Sequence, residues 1–110
     1  DPEYPGHYLF TLGLARFCLE RYEEAAPDLE IALYKRKMHD RPPMWLLAAT
    51  YAHLGRQQEA EDVLTKYLKE RGYEGYTVER VLKYYLHAFK DPRYTARFAE
   101  GLHKAGLPMK

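Results

Sequence analysis

Apolar residues recur along this chain at spacings of three and four, in six stretches separated by short breaks of glycine, proline or charge. That is the pattern of helices that each bury one side. The spacing predicts a first helix over 7–19, where Leu9, Leu12, Leu14, Ala15 and Phe17 crowd closely enough to be buried on most sides, with Gly13 allowing a neighbouring helix to come near. A break of two residues, Glu20 and Arg21, precedes a second helix from about Tyr22, which keeps Ala25, Leu29, Ala32 and Leu33 on one stripe. So short a break forces the two helices into an antiparallel hairpin. Pro27 stands close enough to the start of the second helix to remove at most one backbone bond, so it predicts a slight bend.

The design then returns. Residues 39–43 form a link whose two prolines stop one helix and open the next. A third helix follows with Met44, Leu47, Ala48, Tyr51 and Leu54, then a turn at Gly55 and Arg56, and a fourth helix with Ala60, Val63, Leu64, Tyr67 and Leu68. Gly55 adopts without strain the left-handed conformation that Glu20 must be forced into in the first copy. Gly72 ends the fourth helix, with Tyr73 placed to touch Leu68. Beyond it, Thr77 caps a helix carrying Val78, Val81, Leu82, Tyr85 and Phe89, and Asp91-Pro92 opens a last one carrying Phe98 and Leu102. Gly106, with Leu107 reaching back to Leu102, and Pro108 stop it.

Residues 9–33 and 44–68 are two copies of one pattern, offset by 35 (Ala60 minus Ala25). At this offset Leu12/Leu47, Leu19/Leu54, Arg21/Arg56, Glu24/Glu59, Ala25/Ala60, Leu29/Leu64 and Leu33/Leu68 are identical. A period of about 34 residues holding two helices marks a helical solenoid, whose units stack to share a core. The expected fold is therefore all-α, a solenoid of antiparallel helix hairpins in one domain over 1–110. Repeat 1 spans 6–38, repeat 2 spans 41–71, and a degenerate helical pair over 76–108 closes the open end.

Composition narrows the function classes. With 46% hydrophobic residues in 110, the chain can bury a core without disulfides or metals. The net charge of +1 supplies no global field for nucleic acid or anionic lipid, so neither is an expected partner. No run of about 18 apolar residues occurs, and the single Cys18 makes no internal disulfide, which together point to the cytoplasm. A start at Asp1 rather than methionine fits a piece of a longer polypeptide.

No catalytic or metal-binding constellation assembles in the sequence, and none of its features calls for a cofactor. The histidines at 7, 39, 53, 87 and 103 do not pair on a helical face with a further ligand. Cys18 has only Arg16 and Arg21 near it in sequence to activate a thiol, and a lone helical cysteine usually packs as a small apolar residue. Glu23-Glu24 and Glu59-Glu61-Asp62 sit in first helical turns, where the dipole favours negative charge. Lys35-Arg36-Lys37, with His39 and Arg41, could meet a phosphate-bearing partner, but a short basic run at a helix end also complements the dipole.

Leu12, Gly13, Ala15, Phe17, Tyr22, Ala25, Leu29 and Ala32, followed by Leu47, Ala48, Tyr51, Gly55, Ala60 and Leu64, resemble the tetratricopeptide repeat over residues 6–70. Arg16 stands where that family usually has an aromatic, and Glu20 where it has glycine. More narrowly, Tyr-Leu-Phe-Thr-Leu-Gly-Leu-Ala at 8–15, Leu-Ala-Ala-Thr-Tyr-Ala-His-Leu-Gly-Arg at 47–56, Phe-Lys-Asp-Pro at 89–92 and the ending at 100–108 are similar to the carboxy-terminal region of bacterial class III adenylate/guanylate cyclases. Winged-helix transcriptional regulators built on the same plan resemble it less closely. The resemblance implies a non-catalytic module that binds a protein or peptide segment, in the regulatory region of a signalling protein whose active site lies elsewhere. It also implies a concave groove lined by the first helix of each hairpin: Phe10, Leu14, Phe17 and Cys18 in unit 1, and Trp45, Ala49, Ala52 and His53 in unit 2. Such a groove suits an apolar segment, from a partner or from the same polypeptide. Two alternatives stand beside it: Phe10, Phe17 and Trp45 are covered by the degenerate third unit or by upstream residues, or the same surface joins two copies into a homodimer.

Overall fold

The structure, a computed structural model, describes residues 6–35, 43–83 and 89–110. Among these residues it is all-helical, with six helices and no strand. The basic stretch beyond Lys35, most of the proline link, and Tyr85 and His87 lie outside the described residues.

Helices α1 (Gly6–Cys18) and α2 (Tyr22–Lys35) form the first hairpin, and α3 (Pro43–His53) and α4 (Gln57–Arg71) the second. Their turns are built alike. In the first, the amides of Leu19, Glu20, Arg21 and Ala25 donate to the carbonyls of Ala15, Phe17, Arg16 and Arg21. In the second, those of Leu54, Gly55, Arg56 and Ala60 donate to Thr50, Ala52, Tyr51 and Arg56, each bond displaced by the repeat period. The left-handed residue expected at each turn is present, Glu20 at φ 60° and Gly55 at φ 79°. Arg21 grips Glu24 through Nε and Nη2 at 2.7 and 2.6 Å, and Arg56 grips Glu59 the same way at 2.6 Å for both bonds. These forks hold both glutamates below the usual carboxylate range. The 35-residue repeat is thus a repeat of structure as well as of sequence.

Gly13 explains how closely α1 and α2 meet. A Cβ there would stand 2.8 Å from Cγ and Cδ2 of Leu29, a fully buried side chain. Arg16, which departs from the aromatic pattern, donates to Asp28 at 2.6 Å across the same interface, so a paired cation replaces packing. Pro27 remains inside α2, as expected.

Helix α4 ends at Gly72, φ 72°, with the amides of Gly72 and Tyr73 both reaching Leu68 O. Thr77 caps α5 (Val78–Leu82) by accepting from the Arg80 amide. The remaining amides of that first turn, those of Val78 and Glu79, donate to the carbonyls of Pro108 and Met109 in the C-terminal tail. Sequence spacing extended this helix to Phe89, but Phe89 lies outside it, in a non-helical approach to Asp91. Pro92 disfavours helical backbone at the residue before it, and Asp91 takes φ −93°, ψ 124°. Helix α6 (Pro92–Lys104) starts there, with the Asp91 carboxylate accepting from the Arg93 amide. At its far end the Leu107 amide reaches back to Leu102 O.

α6 lies against α3, the central helix of the molecule, on which α2 and α4 also pack. The radius of gyration, 12.5 Å, matches the roughly 13 Å of a compact domain of this length, so the third helical pair folds back onto the first two hairpins.

Candidate functional site

Of the residues expected to line a groove, Phe17 and Cys18 on α1 and Ala49 and His53 on α3 lie against α6. Phe17 has no exposed surface. Its ring meets Tyr22, His53, Phe98 and Phe89 at centroid distances of 5.3, 5.8, 6.2 and 6.3 Å, the first, second and third edge-on as aromatic quadrupoles favour. Ala49 touches α6 directly: a Cβ added to Gly101 would fall 2.7 Å from Ala49 Cβ and 2.9 Å from its carbonyl oxygen. Only glycine lets the two backbones approach this far.

Polar contacts fix the register of α6 at the hairpin turns. His53 stacks on Tyr22, 4.8 Å between centroids and 9° between planes, and its Nε2 lies 2.7 Å from Arg97 O. A carbonyl can only accept, so Nε2 is the donor of this bond. Arg97 reaches back to Cys18 O at 3.3 Å and to Glu20 at 3.3 Å, and Gln57 Nε2 donates to Lys104 O at 2.7 Å.

Trp45 belongs to a second aromatic cluster. It is fully buried against Tyr73, 5.4 Å away, and stacked on Tyr76 at 5.9 Å, both from the segment between α4 and α5. Among the described residues its indole Nε1 has no hydrogen-bond partner, which costs about 1–3 kcal/mol and is outweighed by the area the ring buries.

Of the eight expected groove residues, Phe10, Phe17, Trp45, Ala49 and Ala52 are buried, Leu14 and Cys18 are partly buried against the core, and His53 is half-buried under α6. Phe17 and Ala49 are covered by α6, and Trp45 by Tyr73 and Tyr76. Cys18 is a free thiol, and burial pushes its pKa up, with Arg97 opposing and Asp91 adding to the rise. That is the opposite of what a reactive nucleophile needs. Tyr51, between α2 and α3, donates its hydroxyl to Glu30; burial first, and then that bond, raise its pKa.

Gly101 and Arg97, which seat α6, were not singled out by sequence reasoning. A glycine inside a strongly amphipathic pattern was the available signal, and it reads equally well as a weak point in a surface helix. Among the described residues no group of three or more histidine, cysteine or acidic side chains could hold a metal, and no helix is long and apolar enough to cross a membrane. In comparisons with known proteins, no protein-family model, no curated protein and no solved structure matches the chain.

Proposed function

We propose that this chain is a non-catalytic protein-interaction module of tetratricopeptide type, whose groove holds an apolar helical segment of its own polypeptide, α6, and exchanges it for a similar segment of a partner. It would serve as the regulatory region of a larger signalling protein, such as an adenylate cyclase. The observation that carries this reading is the seating of α6 against α3: Phe98, against Phe17, and Leu102 are fully buried, while the polar contacts at its edges are partly exposed. Exposed ion pairs contribute about 0–1 kcal/mol each, so the attachment is mainly apolar, and an amphipathic helix with a glycine at the place of Gly101 would compete for it.

Native-state hydrogen exchange on the whole chain tests this. The α6 amides are expected to exchange through a partial opening, well before those of α1 to α4. Exchange of α6 only with global unfolding would make it a permanent part of the core, and the groove would then have no exchangeable occupant.

A further inference from the structure

The C-terminal tail is tied to the segment that covers Trp45. Val78 and Glu79, two and three residues after Tyr76, donate their amides to Pro108 O at 2.8 Å and to Met109 O at 3.1 Å. Beyond the buried Leu107, Pro108, Met109 and Lys110 are all exposed, so this end of the chain is held by backbone bonds to α5 rather than by buried side chains. α5 depends on those bonds in turn. Its five residues are far below the roughly 12 at which an isolated helix begins to hold in water, and its first-turn amides go to Thr77 Oγ1 and to the tail carbonyls. It packs chiefly on α6, the helix that the tail prolongs, with Val78 and Val81 buried.

Trp45 is where a loosened α5 is felt. The indole lies one helical turn before Ala49, on the side of α3 that meets α6. Tyr73 and Tyr76 cover it, and both are themselves half-buried, so the cover is one ring deep. Tyr76 is joined to α5 through Thr77 and borders a recess of about 400 Å³ with Leu64, Leu68, Leu107 and Pro108, so cover and tail meet across a gap rather than a packed seam. The buried Trp45 Nε1 has no hydrogen-bond partner among the described residues. The covered state therefore forgoes a bond that water supplies once the cover lifts.

We propose that residues 108–110 are a clasp. Seated, they fix the first turn of α5 and keep Tyr73 and Tyr76 over Trp45; released, they let the cover lift and present an indole with a free N–H donor. Tail, α5 and cover open as one unit while α6 stays seated through Phe98, Gly101 and Arg97. The clasp works in the same way whether α6 is permanent or exchangeable.

Trp45 is the only tryptophan of the chain, so its indole reports on the cover directly. Hydrogen exchange in the full chain, followed by NMR and corrected for intrinsic rates, should show the indole N–H and the amides of Val78 and Glu79 sharing one opening. That opening should be at least tenfold more frequent than those of the Phe98 amide in α6 and the Ala49 amide in α3. A chain lacking residues 108–110 should exchange the indole N–H at least tenfold faster than the full chain and raise acrylamide quenching of Trp45 at least twofold, with Ala49 exchange unchanged. Indole exchange that follows Phe98 or Ala49 instead of Val78 and Glu79 overturns the clasp, and so does a folded truncated chain with unchanged indole exchange. The full-chain comparison decides by itself where the truncated chain does not fold.

Discussion

Phe17 illustrates how a residue that looks like a ligand-binding aromatic becomes a structural one. Its ring has aromatic or imidazole neighbours on four sides and no solvent exposure, so removing it leaves a cavity rather than an empty binding site. Phe17→Ala is expected to lower stability by about 3–5 kcal/mol in urea denaturation, with an unchanged m-value if the fold survives. A loss below about 1 kcal/mol would mean that the ring is not packed in solution. Asp91 sets a pH dependence at the same scale. Hydrogen bonds from the Arg93 side chain and then from the Arg93 amide lower its pKa from 3.8 to about 2. A lowered carboxylate pKa stabilises the fold above the unfolded value and loses that contribution as pH falls through the folded one. The start of α6 should therefore loosen between about pH 4 and pH 2. Asp91→Asn, which keeps an acceptor for the cap but not the charge, should flatten that part of the stability profile. An Asp91 carboxyl that titrates near 4 by NMR would contradict the capping geometry.

At the scale of elements, the decisive contact is the crossing of α3 and α6 at Ala49 and Gly101. Alanine is normally the better helix residue by about 1 kcal/mol. Here its methyl would meet the Ala49 carbonyl oxygen and Cα, which are backbone atoms that a rotamer change cannot move. Gly101→Ala is expected to destabilise by about 1–3 kcal/mol in spite of its propensity gain, the range typical of overpacking. Stabilisation in the same denaturation experiment would show that α6 sits farther from α3. The hairpin turns make the complementary point. Glu20 holds a left-handed backbone that costs an ordinary residue roughly 1–2 kcal/mol, and Gly55 holds it freely. That contrast was legible before any coordinates, because two copies of one turn must share one geometry.

At the scale of the whole molecule, the largest fully buried side chains among the described residues include Trp45, Phe17 and Phe98. Phe10, Phe17 and Trp45, the residues through which a groove-mediated dimer would form, are all buried, Phe17 against Phe98 of α6 and Trp45 against the tyrosines after α4. Light scattering over a wide concentration range should therefore return a monomer for the wild-type chain. A stable dimer that Phe98→Ala strengthens would mean that the groove opens to a second copy and that α6 is the element it displaces.

Helix positions other than the end of α5, caps, turn residues and the paired hairpins follow from the sequence, since each depends on contacts within a few residues or on the period itself. Gly13, Thr77, Gly72, Asp91 and Leu107 all act where local reasoning puts them. What the sequence left open was where the last helix goes, because the amphipathic stripe of Phe98 and Leu102 specifies only that it must be buried, not against which partner. The choice is made by groups distant in the chain: Ala49 opposite Gly101, His53 opposite the Arg97 carbonyl, and Arg97 opposite Cys18 and Glu20. Tertiary structure alone decides that α6 packs over Phe17 and Ala49 rather than elsewhere.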